Sequence, residues 1–172
     1  MITKIFLSLI IGLTLGFTSC NKVTPAGFWK NYKDKFLLKN ISDQGPYGGH
    51  RAMYWKAEKP NTFTSKSVID FATKNSWNFV DSFNVKPEQM KLWQNGNQAV
   101  FPFSYAGFSD TMTNFETLNY FPRWINSELK VFAFKTNWEA VEPGNARQTE
   151  ENGFIVLNND GSEMSVYHLW GE

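Results

Sequence analysis

Side chains able to carry chemistry are sparse in this sequence. Histidine occurs twice and cysteine once, at His50, His168 and Cys20. A zinc centre draws three or four ligands from His, Cys and carboxylates, which these isolated residues do not supply, so neither a metal nor another cofactor is expected. His168 stands at period two with Met164, Val166 and Trp170, which places it in an apolar layer as a hydrogen-bonded core histidine. His50 follows Gly48-Gly49 at a strand start and is expected as a partly exposed turn residue. Gly107-Phe108-Ser109-Asp110-Thr111 lacks the second glycine of a nucleophile elbow and reads as a loop. The cluster Gly45-Pro46-Tyr47-Gly48-Gly49 has no phosphate-loop spacing and reads as a turn.

One carboxylate and one aromatic cluster remain. Strict alternation puts Asp81 on the same face as Trp77, Phe79 and Phe83. Among aromatics its charged form loses solvation and its pKa rises, as a general acid requires. A bulge that turns Asp81 outwards, or a basic partner, would remove that property. Glycosidase chemistry also needs a second carboxylate at a set distance; Glu116, Glu139, Glu142, Glu150 and Glu151 are available and spacing selects none of them. The irregular stretch 105–126 carries Phe108, Phe115, Tyr120 and Trp124. These either project as a surface for a protein, peptide or glycan partner or fold back as a lid over the sheet.

The elements that must hold these groups can be read along the chain. Phe28, Trp29, Tyr32, Phe36 and Leu37 at three- and four-residue spacings predict an amphipathic helix over 27–39. His50 to Trp55 reads as a strand. Ser65 is an N-cap candidate before a helix ending near Asn75, with Val68, Ile69, Phe71 and Ala72 as its apolar stripe. Trp77 to Val85 reads as a strand, Pro87 to Trp93 as a second helix closed by Asn95-Gly96, and Gln98 to Tyr105 as an edge or bulged strand because of Pro102. Leu129 to Thr136 alternates Leu129, Val131 and Ala133 with Phe132 and Phe134, the pattern of a strand covered on both faces. Phe154 to Leu157 and Met164 to Trp170 flank Asn158-Asn159-Asp160-Gly161, a hairpin signal. The sum is an α+β fold: a mostly antiparallel sheet of about five or six strands with two or three helices packed on one face.

The N-terminus fixes an expected compartment. Lys4 gives a positive n-region, Ile5 to Leu15 an apolar run, and Gly16-Phe17-Thr18-Ser19 a small-residue approach to Cys20. The run falls short of the about 20 apolar residues of a membrane span. Phe17-Thr18-Ser19-Cys20 resembles the lipobox of bacterial lipoproteins, with Phe17 where leucine is most often found. The resemblance covers the signal alone. It implies a signal peptide over 1–19 and an acylated Cys20 with a short tether over 20–26; the remaining chain, about 150 residues, is the size of one domain, expected as a single globular unit over 27–172. The resemblance also implies a cell-envelope protein anchored in a membrane through lipid on Cys20; Asn21 in place of aspartate points to the outer membrane, with the leaflet open. Two or three acyl chains would anchor firmly, at about 0.8 kcal/mol per buried methylene.

Charge narrows the partners. The chain has 17 basic and 16 acidic residues, and loss of Lys4 with the signal leaves it formally neutral, so no nucleic-acid partner is expected. Lys30, Lys33, Lys35 and Lys39, with Asp34 among them, read as a solvated face. The expected function is a lipid-anchored binding or interaction module, more a binder than an enzyme. An inhibitor or immunity-type protein against one partner enzyme, an envelope hydrolase using Asp81, and a structural envelope component are the alternatives.

Overall fold

The alternation of Leu129, Val131 and Ala133 with Phe132 and Phe134 is realised as a strand with all five side chains buried. It sits in a computed structural model that describes residues 25–45, 48–86, 122–138 and 152–171. These residues form two 3-10 turns, Gly27–Asn31 and Asp34–Phe36, and the elements β1 (Leu37–Gly45), β2 (Gly48–Lys56), α1 (Ser65–Lys74), β3 (Asn78–Val85), β4 (Leu129–Lys135), β5 (Gly153–Asn158) and β6 (Glu163–Gly171). All strand pairs are antiparallel, in the order β1-β2-β6-β5-β4-β3. The fold is therefore a sheet-dominated α+β arrangement, with six strands and one α-helix among the described residues. The expected helix at Pro87–Trp93 and strand at Gln98–Tyr105 lie outside them.

Both faces of the sheet are covered. On the first, the 3-10 turns and α1 bring Trp29, Tyr32, Val68 and Ala72 onto Met53, Trp55, Phe132, Phe134, Ile155 and Val166. On the second, Ala52, Tyr54, Val131, Val156 and Tyr167 meet Ile125 and Trp124 from the segment before β4. Burying each large apolar side chain contributes about 1.5–3 kcal/mol, so this double coverage supplies the core of a domain without a disulfide.

The helix expected over 27–39 is corrected. Its first part forms 3-10 turns, whose three-residue period brings Trp29 and Tyr32 together with ring centroids 5.6 Å apart. Lys33 at φ 43 separates the two turns, and Leu37 onward is captured by pairing with β2. Ala26, expected at the end of a tether, is buried in the first core. α1 begins where expected, although Thr64 rather than Ser65 caps it. Thr64 Oγ1 accepts from Ser67 N–H at 3.3 Å and Thr64 N–H donates to Ser67 Oγ at 3.3 Å, a reciprocal box typically worth about 1 kcal/mol.

The β5–β6 hairpin also forms as expected, with Leu157 opposite Met164. Ser162 N–H donates to Asp160 Oδ1 at 2.8 Å, and Gly161 takes φ +68. A Cβ on Gly161 would stand 2.5 Å from the Phe63 carbonyl oxygen, so glycine is required by both φ and space.

Candidate functional site

Of the residues singled out from the sequence, the described ones do not converge on one site. Cys20, Phe108, Phe115 and Tyr120 lie outside the described residues, as do Glu116, Glu139, Glu142, Glu150 and Glu151. Asp81 is exposed on β3, with Oδ1 accepting from Ser82 N–H at 2.6 Å. The register slips between Phe79 and Asp81: Phe79 pairs with Phe134, facing the α1 side, whereas Asp81 pairs with Ala133 on the opposite face. Solvent thus keeps the carboxylate hydrated, and the desolvation expected for a general acid is missing. Trp124 folds onto the sheet. Its ring lies 5.5 Å from Tyr54 and 6.2 Å from Tyr167, both nearly parallel, and Tyr167 Oη donates to Pro122 O at 2.9 Å to hold the segment down.

The histidines divide. His50 is not a partly exposed turn residue; it is 6% exposed inside β2, between Asp43 of β1 and Leu169 of β6, because strands flank it on both sides. His168 is fully buried on the first face, as its period-two neighbours imply, with Trp77 and Trp170 rings 5.3 and 5.1 Å away.

His168 belongs to a polar chain whose proton positions follow in sequence. Asn152 Nδ2 donates to the carbonyls of Trp138 at 2.6 Å and Leu169 at 3.1 Å, which leaves Asn152 Oδ1 to accept from Thr136 Oγ1 at 2.7 Å. With its proton spent, Thr136 Oγ1 can only accept from His168 at 3.0 Å, so Nε2 carries the imidazole proton and Nδ1 is a lone pair. Burial, and then the positive charge of Arg51, bring the His168 pKa down to about 3 and keep the ring neutral.

Above this chain opens a cleft of about 330 Å³, at the small end of the range for ligand sites. Trp77 and Thr136, both buried, form its base, and Pro25, Phe28, Asn75, Ser76, Asn137 and Trp138 line the rest. Every one of these described lining residues is uncharged. Trp77 is 2% exposed and Trp138 39%, so one indole is fixed in the base while the other stands at the rim. The close packing of the base depends on Gly153, where a Cβ would meet Thr136 Cγ2 at 2.5 Å and Trp77 Cζ3 at 2.8 Å.

The cleft is built from two similar local devices. Ser76 (φ 67) ends α1 just before Trp77, and Asn137 (φ 63) ends β4 just before Trp138. Asn137 Nδ2 donates to Ser76 O at 3.2 Å and ties the two together. Ala26, also lining the cleft, has φ 58, so three of the five non-glycine residues with positive φ among the described residues lie here. Each left-handed backbone costs about 1–2 kcal/mol, and such strain clusters at ligand sites. A short polar residue directly before tryptophan, at Ser76-Trp77 and Asn137-Trp138, is the sequence signal that could have pointed here. A second cleft of about 360 Å³ is lined by Lys35, Lys56, Glu58 and Lys59; the left-handed residues Ala26, Ser76 and Asn137 are not part of it.

Among the described residues no group of three or more His, Cys, Asp or Glu could hold a metal, and no helix is long and apolar enough to cross a membrane. Compared with protein-family models, curated proteins and solved structures, the chain matches none of them.

Proposed function

We propose that this chain is a binding module of a bacterial cell envelope, anchored in the outer membrane through lipid on Cys20, and that the cleft over Trp77 takes a short neutral saccharide. The observation that carries the reading is the composition of the cleft. The exposed indole of Trp138 offers an apolar face to the C–H side of a sugar ring, while the buried indole of Trp77 supports the base of the cleft. Asn75, Ser76 and Asn137 bring amide and hydroxyl groups around it, able to exchange hydrogen bonds with sugar hydroxyls. A charged ligand would find no counter-charge among the described lining residues, and a purely apolar one would leave the amides unpaired.

The test is a titration of the full chain in detergent micelles with neutral oligosaccharides, beside acidic ones of equal length, read by tryptophan fluorescence. Saturable quenching by a neutral sugar is expected, weakened about tenfold in Trp138→Ala, which corresponds to about 1.4 kcal/mol. No response to any neutral saccharide, or equal binding by Trp138→Ala and Asn137→Ala variants, would remove the cleft from consideration.

A further inference from the structure

A row of side chains crosses the first face of the sheet from edge to edge. Ser42, Arg51, His168, Gly153, Phe134 and Phe79 are successive register partners from β1 to β3. Two of them are polar groups sunk in the core: Arg51 is 2% exposed and His168 is fully buried. Burial lowers the Arg51 pKa without discharging it, because an arginine titrates far above neutral pH. A buried guanidinium is costly unless its charge and N–H groups are met. Here Nη2 donates to Ser42 Oγ at 3.2 Å, while Nε and Nη1 are buried and make no hydrogen bond. The Lys56–Glu163 and Lys66–Asp70 ion pairs do not involve it.

Arg51 is not alone in this state. The Nδ1 of His168 and the indole Nε1 of Trp170 are also buried without a hydrogen bond, and the two rings lie 5.1 Å apart. Trp170 pairs with Gly49, two residues from Arg51 on the same strand, so a glycine without a side chain lies beside both. The three residues therefore gather three guanidinium N–H protons, one indole N–H and one imidazole lone pair. The donors call for an anion. The lone pair, fixed by the chain through Thr136 and Asn152, calls for a ligand that also brings a proton of its own.

We propose that Arg51, with Trp170 and His168 Nδ1 beside it, holds a small hydrogen-bearing oxyanion of the phosphate class. Its charged oxygens accept from Arg51 and Trp170, and its hydroxyl donates to His168 Nδ1. Carboxylate and sulfate fill the first role but carry no proton at neutral pH for the second. Ser42 is exposed on the edge strand β1 and touches the guanidinium, so at that edge the site lies one side chain from solvent. The proposal stands apart from the saccharide cleft, and neither depends on the other.

The experiment compares thermal midpoints of the full chain in detergent with increasing inorganic phosphate, sulfate and acetate at constant ionic strength. Sulfate is the essential control because it stabilises proteins generally by exclusion from their surfaces. Phosphate is expected to raise the midpoint saturably by several degrees, as binding to the folded state requires, and sulfate and acetate by less. Arg51→Met should abolish the phosphate-specific part. Trp170→Phe, which keeps a ring but loses the N–H, should weaken it about tenfold and guards against a misfolded Arg51 variant. Phosphorus NMR on the unmodified protein gives an independent readout: the resonance of added phosphate broadens, and excess phosphate but not sulfate reverses this. Equal stabilisation by sulfate, retention of the phosphate effect in Arg51→Met, or protection by phosphatidic-acid vesicles without protection by free phosphate would each overturn the assignment.

Discussion

Replacing Gly153 with alanine asks whether close backbone approach sets the base of the cleft. The added Cβ would stand 2.5 Å from Thr136 Cγ2, 2.8 Å from Trp77 Cζ3 and 3.0 Å from Trp77 Cε3. Carbon atoms settle at about 3.5–4.0 Å, so the methyl and the indole must retreat by about 1 Å or β5 must move from β4. Neither neighbour has room. Trp77 is wedged against Phe28, Trp29, Phe134 and His168, and Thr136 holds Asn152 and His168. Two opposing effects set the net. Restricting the unfolded chain stabilises by about 0.4–1 kcal/mol. Overpacking costs about 1–3 kcal/mol, and disturbing the Thr136 hydrogen bonds about 1 kcal/mol more. The expected result is a loss of about 2 kcal/mol, a midpoint lower by about 4–8 °C for a chain of this length. Urea unfolding followed by tryptophan fluorescence measures it. Adding Thr136→Ser removes the nearest methyl but keeps the hydroxyl, and should recover about half the loss, because the indole contact remains. An alanine variant as stable as the parent, or a double variant no better than the single one, would refute the reasoning.

Other consequences can be checked alongside. His168 has an ordinary pKa of 6.5 and a folded value of about 3, so the unfolded chain takes up a proton that the folded chain refuses. Its contribution is complete above pH 6.5 and is lost as pH falls towards 3, by up to about 5 kcal/mol at about 1.4 kcal/mol per pH unit. The acid slope of urea stability between pH 7 and 4 should therefore flatten in His168→Gln. Thr136→Val keeps the shape but strands Asn152 Oδ1 and the His168 Nε2 proton; it should cost about 2–4 kcal/mol by the same unfolding assay, whereas Thr136→Ser costs little. Trp124→Ala should cost about 2–3 kcal/mol and change the near-ultraviolet circular dichroism, since the ring stacks on Tyr54 and Tyr167 rather than standing in solvent. Asp81→Asn should leave stability within about 0.5 kcal/mol of the parent in urea, because the carboxylate is exposed.

Elements whose information is local were legible in the sequence. β4 follows from the alternation of Leu129 to Phe134, α1 from a capped apolar stripe, and the last hairpin from Asp160-Gly161, each set within about ten residues. The segment 27–39 was not, because aromatic spacings of three and four suit an α-helix and a pair of 3-10 turns alike, and the choice fell to β2, which recruits Leu37–Gly45 as its partner. His50 was misplaced for a similar reason: a glycine-rich strand start looks exposed until β1 and β6 flank it. Strict alternation could not foresee the slip between Phe79 and Asp81. The cleft was the least legible, since Ala26, Ser76 and Asn137 meet only once α1, β3 and β4 are in place.

The order of strands carries a consequence for how the chain comes together in time. β6 lies between β2 and β5, which do not pair with each other, so the strand that joins the first hairpin to the rest comes after the other five described strands. A ribosome releases β1, β2, α1, β3, β4 and β5 before it. Until β6 arrives, β2 and β5 each keep a raw edge, and both are strands with buried residues on both faces. Such an edge invites pairing with another chain, and the long-range closure that removes it is slow. The nascent protein therefore keeps both edges open until β6 emerges, and over that interval its copies are prone to pair with one another.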